Sequence, residues 1–179
     1  MKNLTETIKI PEGLSVSSGG TNLIIKGPKG AMKRNFNNPS VKIKIENNEI
    51  ILSSNVGSKK DKAVIHAYKA HLKNAFNGVK EPYVFKLKIC SGHFPMNVTV
   101  SNNVLVIKNF LGEKIPRQLN IKEGVIVKVD GSLITIEGID KELAGQVAAD
   151  IEQITKRPGF DRRIFQDGIY ITEKAGKRI

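Results

Sequence analysis

Seven cations fall within residues 156–179 against three acids, and they are the side chains of this 179-residue sequence best suited to holding an anionic ligand. Lys156, Arg157, Arg162 and Arg163 come first, and Lys174, Lys177 and Arg178 close the segment. Apart from Arg34 and Arg117 every arginine of the chain is here, whereas the cations of the first half are almost all lysine. A guanidinium fork meets a phosphate with two hydrogen bonds and stacks on bases, so the pattern points to a folded polynucleotide as the ligand. Phe160, Ile164, Phe165, Ile169, Tyr170 and Ile171 intersperse the charges, and apolar groups at that density are expected to pin the segment to a folded body. The competing account is a solvated basic extension.

The whole chain carries 29 Lys+Arg against 17 Asp+Glu, a formal net charge of +12, and a field of that size concentrates phosphates around it. The excess is uneven. Residues 1–80 have 14 cations against 5 acids, residues 81–155 have 8 against 9, and the remainder holds the basic tail. Lys42 and Lys44 alternate with apolar residues, which is also how the solvent face of an ordinary strand reads.

Other chemistry finds little support. His66 and His71 are five apart on a helical pattern, which puts them on different faces, and His93 stands near a lone cysteine with no further Cys or His cluster. Cys90 sits in an apolar run and reads as a small buried hydrophobe compatible with a reducing compartment. Gly27-Pro28-Lys29-Gly30 lacks the ending of a phosphate loop and is followed by no helix, so it reads as a turn between strands. Neither a nucleophile elbow nor a zinc-protease motif is present, and no carboxylate pair lies in apolar sequence. The expectation is a protein that is not an enzyme, with no metal, no cofactor and no small-molecule substrate. A start without a signal-peptide pattern, and the lack of any run of some 18 apolar residues, predict a soluble cytoplasmic chain with no membrane partner.

The elements that must hold these residues come from an internal repeat. Leu23-Ile24-Ile25-Lys26 parallels Leu105-Val106-Ile107-Lys108 at an offset of 82, and Val41 to Asn48 parallels Val125 to Ser132 at an offset of 84. Asp61-Lys62 parallels Asp140-Lys141 at 79. Alternation in Val41 to Ile45, the turn Asn47-Asn48 and the returning run Glu49 to Ser53 predict a hairpin, and Asp130-Gly131 predicts its counterpart. The period then changes to four: Val64, Tyr68, Leu72 and Phe76 mark one amphipathic helix, and Leu143, Val147 and Ile151 mark another. Ser58 and Asp140 are the expected N-caps, and Gly78 the expected end of the first helix. Gly145 inside the second is expected to mark close approach to a sheet. The fold class is therefore α+β: two tandem repeats, each a small antiparallel β-sheet packed against one α-helix, over 1–80 and 81–179 with the linker near Gly78 to Pro82.

Four stretches occur in order along nearly the whole chain: Gly27-Pro28-Lys29-Gly30, Gly92-His93-Phe94-Pro95-Met96-Asn97-Val98, Lys108-Asn109-Phe110-Leu111-Gly112-Glu113-Lys114 and Phe165-Gln166-Asp167-Gly168-Ile169-Tyr170. Together they resemble the large-subunit ribosomal protein L-six family. The second and third are similar to its archaeal and eukaryotic branch, and the compact size suggests an archaeal member. The resemblance implies two similar α+β domains from a duplication and a structural role in translation, in the cytoplasmic ribosome. It implies that the second domain docks on large-subunit ribosomal RNA near the sarcin-ricin loop and the translation-factor site, beside ribosomal proteins of the stalk base. The family's basic C-terminal segment carries over onto Lys156, Arg157, Arg162, Arg163, Lys174, Lys177 and Arg178 as RNA-binding residues. The first domain, with the larger charge, either touches RNA as well or faces neighbouring proteins and solvent. The rival reading from another class is a free adaptor whose sheets recruit a strand or helix.

Overall fold

From its start the chain runs through β1 (Leu4–Lys9), β2 (Ser15–Gly19), β3 (Asn22–Gly27), β4 (Gly30–Asn35), β5 (Lys42–Glu46) and β6 (Glu49–Ser54) into helix α1 (Lys59–Lys80). A computed structural model describes residues 4–20, 22–161 and 163–179. They form two compact units, Met1–Pro82 and Tyr83–Ile179. The second continues with β7 (Tyr83–Cys90), β8 (Asn97–Ser101), β9 (Val104–Lys108), a 3₁₀ turn (Phe110–Gly112), β10 (Arg117–Asn120), β11 (Val125–Asp130), β12 (Leu133–Gly138), helix α2 (Lys141–Ile154), β13 (Gly168–Lys174) and β14 (Lys177–Arg178).

The architecture is α+β, with antiparallel sheets and, among the described residues, one α-helix in each unit. Each unit carries a second sheet beyond the one that alternation revealed. In the first unit the sheets run β1-β6-β5 and β2-β3-β4, and in the second β11-β12-β7-β13-β14 and β10-β9-β8. The turn read at Gly27-Pro28-Lys29-Gly30 is the one that joins β3 to β4, whereas Ser15–Gly19 is short, polar and largely exposed, so no apolar period marks that strand. Asn47 and Asn48, at φ 47° and 64°, form the two-residue loop of the first hairpin, and Asn102 and Asn103 repeat it between β8 and β9. The matching loop of β11 and β12 is Gly131-Ser132, one residue later than expected, because Asp130 still pairs with Leu133.

Ser58 closes the start of α1 as a capping box. Its hydroxyl accepts from the Asp61 amide at 3.1 Å, and the Asp61 carboxylate accepts from the Ser58 amide at 3.1 Å and the Ser54 hydroxyl at 3.0 Å. Those bonds, the Ser58 amide first, hold the Asp61 carboxyl below its ordinary range despite its burial. Asp140 caps α2, accepting from the Glu142 amide at 2.9 Å. The buried rows of the helices match at an offset of 79, Ile65 with Ala144, Leu72 with Ile151 and Phe76 with Thr155, so α1 starts about a turn sooner relative to its sheet.

Gly78 does not end α1. The helix continues to Lys80, where the chain becomes extended at Glu81, and Gly78 is buried inside it. The Gly27-Pro28-Lys29-Gly30 turn docks on this helix end, where the Lys29 amide donates to the Val79 carbonyl at 3.1 Å. A Cβ on Gly27 would stand 2.8 Å from that carbonyl oxygen and 2.7 Å from Leu14. The motif is thus a structural clasp. Gly27→Ala is expected to cost about 2–3 kcal/mol, read as a lowered denaturation midpoint with unchanged slope. Gly145 faces the Phe85 ring, where an added methyl would stand at 3.5 Å, in ordinary contact.

Candidate nucleic-acid interface

The basic segment leaves α2 at Thr155, whose buried hydroxyl donates to the Glu152 carbonyl at 2.9 Å and accepts from the Ile169 amide at 3.0 Å. One threonine so ties the helix end to the start of β13. Between these anchors, residues 156–161 and 163–167 lie over a pocket of about 270 Å³ whose lining includes Phe110, Lys156, Arg157, Phe160, Phe165 and Tyr170. Its polar rim and aromatic wall suit a ligand with both charge and a flat face.

A row of stacked groups builds that wall. The Arg157 guanidinium lies 4.5 Å over the Phe160 ring, Phe160 meets Phe165 edge-on at 4.9 Å, and Phe165 stacks on His93 at 4.9 Å and 29°. His93 is fixed in turn by Asp167, whose carboxylate lies 2.5 Å from its Nδ1 and accepts from the Gly92 and His93 amides at 2.7 and 3.0 Å. Burial pushes the Asp167 carboxyl up, but the His93 amide, the His93 ring and the Gly92 amide outweigh it, so the group is held below its ordinary range.

Glu113 gathers two arginines, Arg117 and Arg157. It receives Arg117 through two hydrogen bonds of 2.6 and 2.7 Å and stands 3.6 Å from Arg157, while Arg117 also donates to the Ile154 carbonyl and covers Phe110. The Arg117 hydrogen bond first, and the two guanidinium charges after it, lower the Glu113 carboxyl against the opposing effect of burial. Arg117 is thereby committed to structure. Arg157 shares this carboxylate yet keeps an exposed side chain.

The expected residues are not one cluster. Lys156 and Arg157 are exposed at the pocket. Arg163, with a side chain 90% exposed, is engaged by Asp161 at 2.8 Å. Arg162 lies outside the described residues. Lys174, Lys177 and Arg178 are exposed in the β13–β14 hairpin, at the other end of a seven-residue strand from the loop, roughly 20 Å away. Phe165, Ile169, Tyr170 and Ile171 pin the segment as their type suggested, but Phe160 is 37% exposed and meets Arg157 and Phe165 of the same segment, and Ile164 is 64% exposed and pins nothing. Sequence reasoning missed Asp167 and the stacking role of His93, whose only signal was that both lie in motifs with no other use. Cys90 is half-buried. Among the described residues no group of three or more His, Cys, Asp and Glu could hold a metal ion, and no helix is long and apolar enough to cross a membrane.

The family pattern described as ribosomal protein L6 matches residues 10–82 and 94–168, one stretch in each unit. The chain belongs to the ribosomal protein L6 family. It is 45% identical over 174 residues to large ribosomal subunit protein uL6 of Methanococcus vannielii, covering 97% of this chain and 96% of that protein. It is 47% identical over 175 residues to the protein of the same name from Methanosarcina mazei, covering 98% and 99%. The family is one of ribosomal proteins, and these relatives are archaeal. The two matched stretches of the L6 family also fit the duplication that the offsets in the sequence trace.

Proposed function

We propose that the chain is a structural, non-enzymatic constituent of the large ribosomal subunit that holds ribosomal RNA through the segment following α2, near the sarcin-ricin loop and the translation-factor site. The observation that carries this reading is the pairing of Lys156 and Arg157 with the Phe160, Phe165 and His93 row, cations for phosphates beside a face for an unstacked base. The β13–β14 hairpin, with Lys174, Lys177 and Arg178, contacts the backbone of the same RNA a strand's length away. Membership of a ribosomal protein family, and the names of the archaeal relatives, support the assembly in which this takes place. Ribosomal proteins around the stalk base are the neighbours.

The test is binding of the purified chain to the matching ribosomal RNA fragment by filter retention across a salt series. Each neutralised phosphate contributes a slope of roughly −0.7 (single strand) to −0.9 (duplex) in log K against log salt, so four to six contacts give a slope of about −3 to −5. Equal affinity for an unrelated hairpin of the same length would remove the specific site. Co-sedimentation with large subunits at moderate salt separates this reading from a free adaptor, which would stay in the supernatant.

A further inference from the structure

The two units differ at one sheet edge, and the difference exposes a seat. In the second unit β7 has neighbours on both sides, β12 and β13. Its counterpart in the first unit is β1: Leu4 pairs with Ser54 as Tyr83 pairs with Gly138, and Lys9 with Glu49 as Lys88 with Leu133. But β1 pairs with β6 alone, and no described strand occupies its other side. There lies a groove of about 500 Å³ whose lining includes Thr7, Lys9, Lys69, Lys73 and Phe76.

Those helix positions are the ones that hold β13 in the second unit. At the offset of 79, Lys73 corresponds to Glu152 and Phe76 to Thr155. Glu152 accepts from the Ile171 amide at 3.4 Å, and Thr155 accepts from the Ile169 amide at 3.0 Å. The first unit therefore keeps the bed of a strand without the strand. Its charge is reversed: an acid receives the backbone in the filled copy, whereas exposed Lys73 and Lys9 flank the empty one, and Lys69 beside them is paired with Glu6 at 2.6 Å.

We infer that this groove binds an extended acidic segment of another protein, which adds to β1 as an antiparallel strand and sets carboxylates against Lys9 and Lys73. Backbone pairing along an open edge supplies the affinity, and alternate side chains facing Phe76 and the lysines supply the selection. A peptide fits better than RNA because the seat is a strand edge backed by a helix, shaped as the one β13 fills. The inference concerns the first unit and stands independently of the RNA reading of the tail.

The probe is a fluorescein-labelled nonapeptide alternating valine with glutamate, compared with a shuffled peptide of the same composition and with decauridylate, all against the full chain. The alternating peptide is expected to slow amide exchange at Thr5–Lys9, which the shuffled peptide does not. The pair Lys9→Glu and Lys73→Glu is expected to weaken its binding about tenfold or more by anisotropy, with the melting temperature unchanged. Lys9→Gln with Lys73→Gln, which adds no repulsion, should give a smaller loss in the same direction. Protection by decauridylate instead would give the groove to RNA. Protection that grows with protein concentration and no peptide would give it to a second copy. Either result, equal binding of the two peptides, or no protection of β1 overturns the proposal.

Discussion

Removing the Arg157 guanidinium together with that of Arg163 lowers affinity for the matching ribosomal RNA fragment by ~30-fold at 0.1 M salt, about 2 kcal/mol for two charge-assisted contacts. Most of the loss belongs to Arg157, which combines an exposed cation with a stacked aromatic at the pocket. Arg163 must first leave Asp161, which holds it with hydrogen bonds of 2.8 to 3.2 Å, so its contribution is discounted by that competition. Adding Arg162→Ala extends the series. Changing Lys42 and Lys44 to Ala, on a strand of the other unit, should weaken binding less than threefold, in keeping with exposed charges acting only through a screened field. Filter binding and incorporation into reconstituted large subunits measure both, and equal losses for the two sets would sink the assignment of the tail.

The largest effect on stability is expected at Asp167. Its side chain is 3% exposed, and the carboxylate satisfies two backbone amides and the His93 ring. Asp167→Ala leaves the Gly92 and His93 amides without their acceptor, a loss of about 3 kcal/mol, enough to lower the melting temperature by more than about 10 °C in a unit of this size. Asp167→Asn keeps an acceptor for the amides and should lose less. Because the folded carboxyl is held below its unfolded value, near 3.8, its contribution is fully present above that pH and is lost as pH falls through the lowered folded value. Acid titration of the melting temperature should thus show a step below about pH 4 that Asp167→Asn removes. The same substitutions loosen His93 under Phe165, so affinity for RNA should fall with stability, which calorimetry and filter binding on one preparation would reveal.

Period and turn chemistry reached far into this fold because they act locally. The Asn47-Asn48 hairpin, the Ser58 and Asp140 caps and the apolar rows of both helices are set by neighbours within a few positions, and each could be read from residue type. Gly78 misled because a helix residue packed inside a core pays for its poor propensity through tertiary contact, and here the Gly27 turn closes on the next residue. The basic tail was legible as charge but not as structure. That residues after Gly168 form an interior strand depends on pairing with β7, far away in sequence, which no local pattern encodes. For the same reason the Asp167 and His93 pair, 74 positions apart, lay hidden although each residue stood in a recognised motif.

The position of β13 also orders events in time. Cys90 in β7 pairs with Gly168, so the central ladder of the second sheet joins strands made at the two ends of that unit. During synthesis the first unit has all of its own strands and its helix once α1 has been made, whereas the second must keep β7 waiting for β13 until nearly 80 further residues have been made. A nascent chain stalled just before Gly168 is then a half-matured species, with one unit resistant to protease and the other exposing the apolar row of β7 to chaperones.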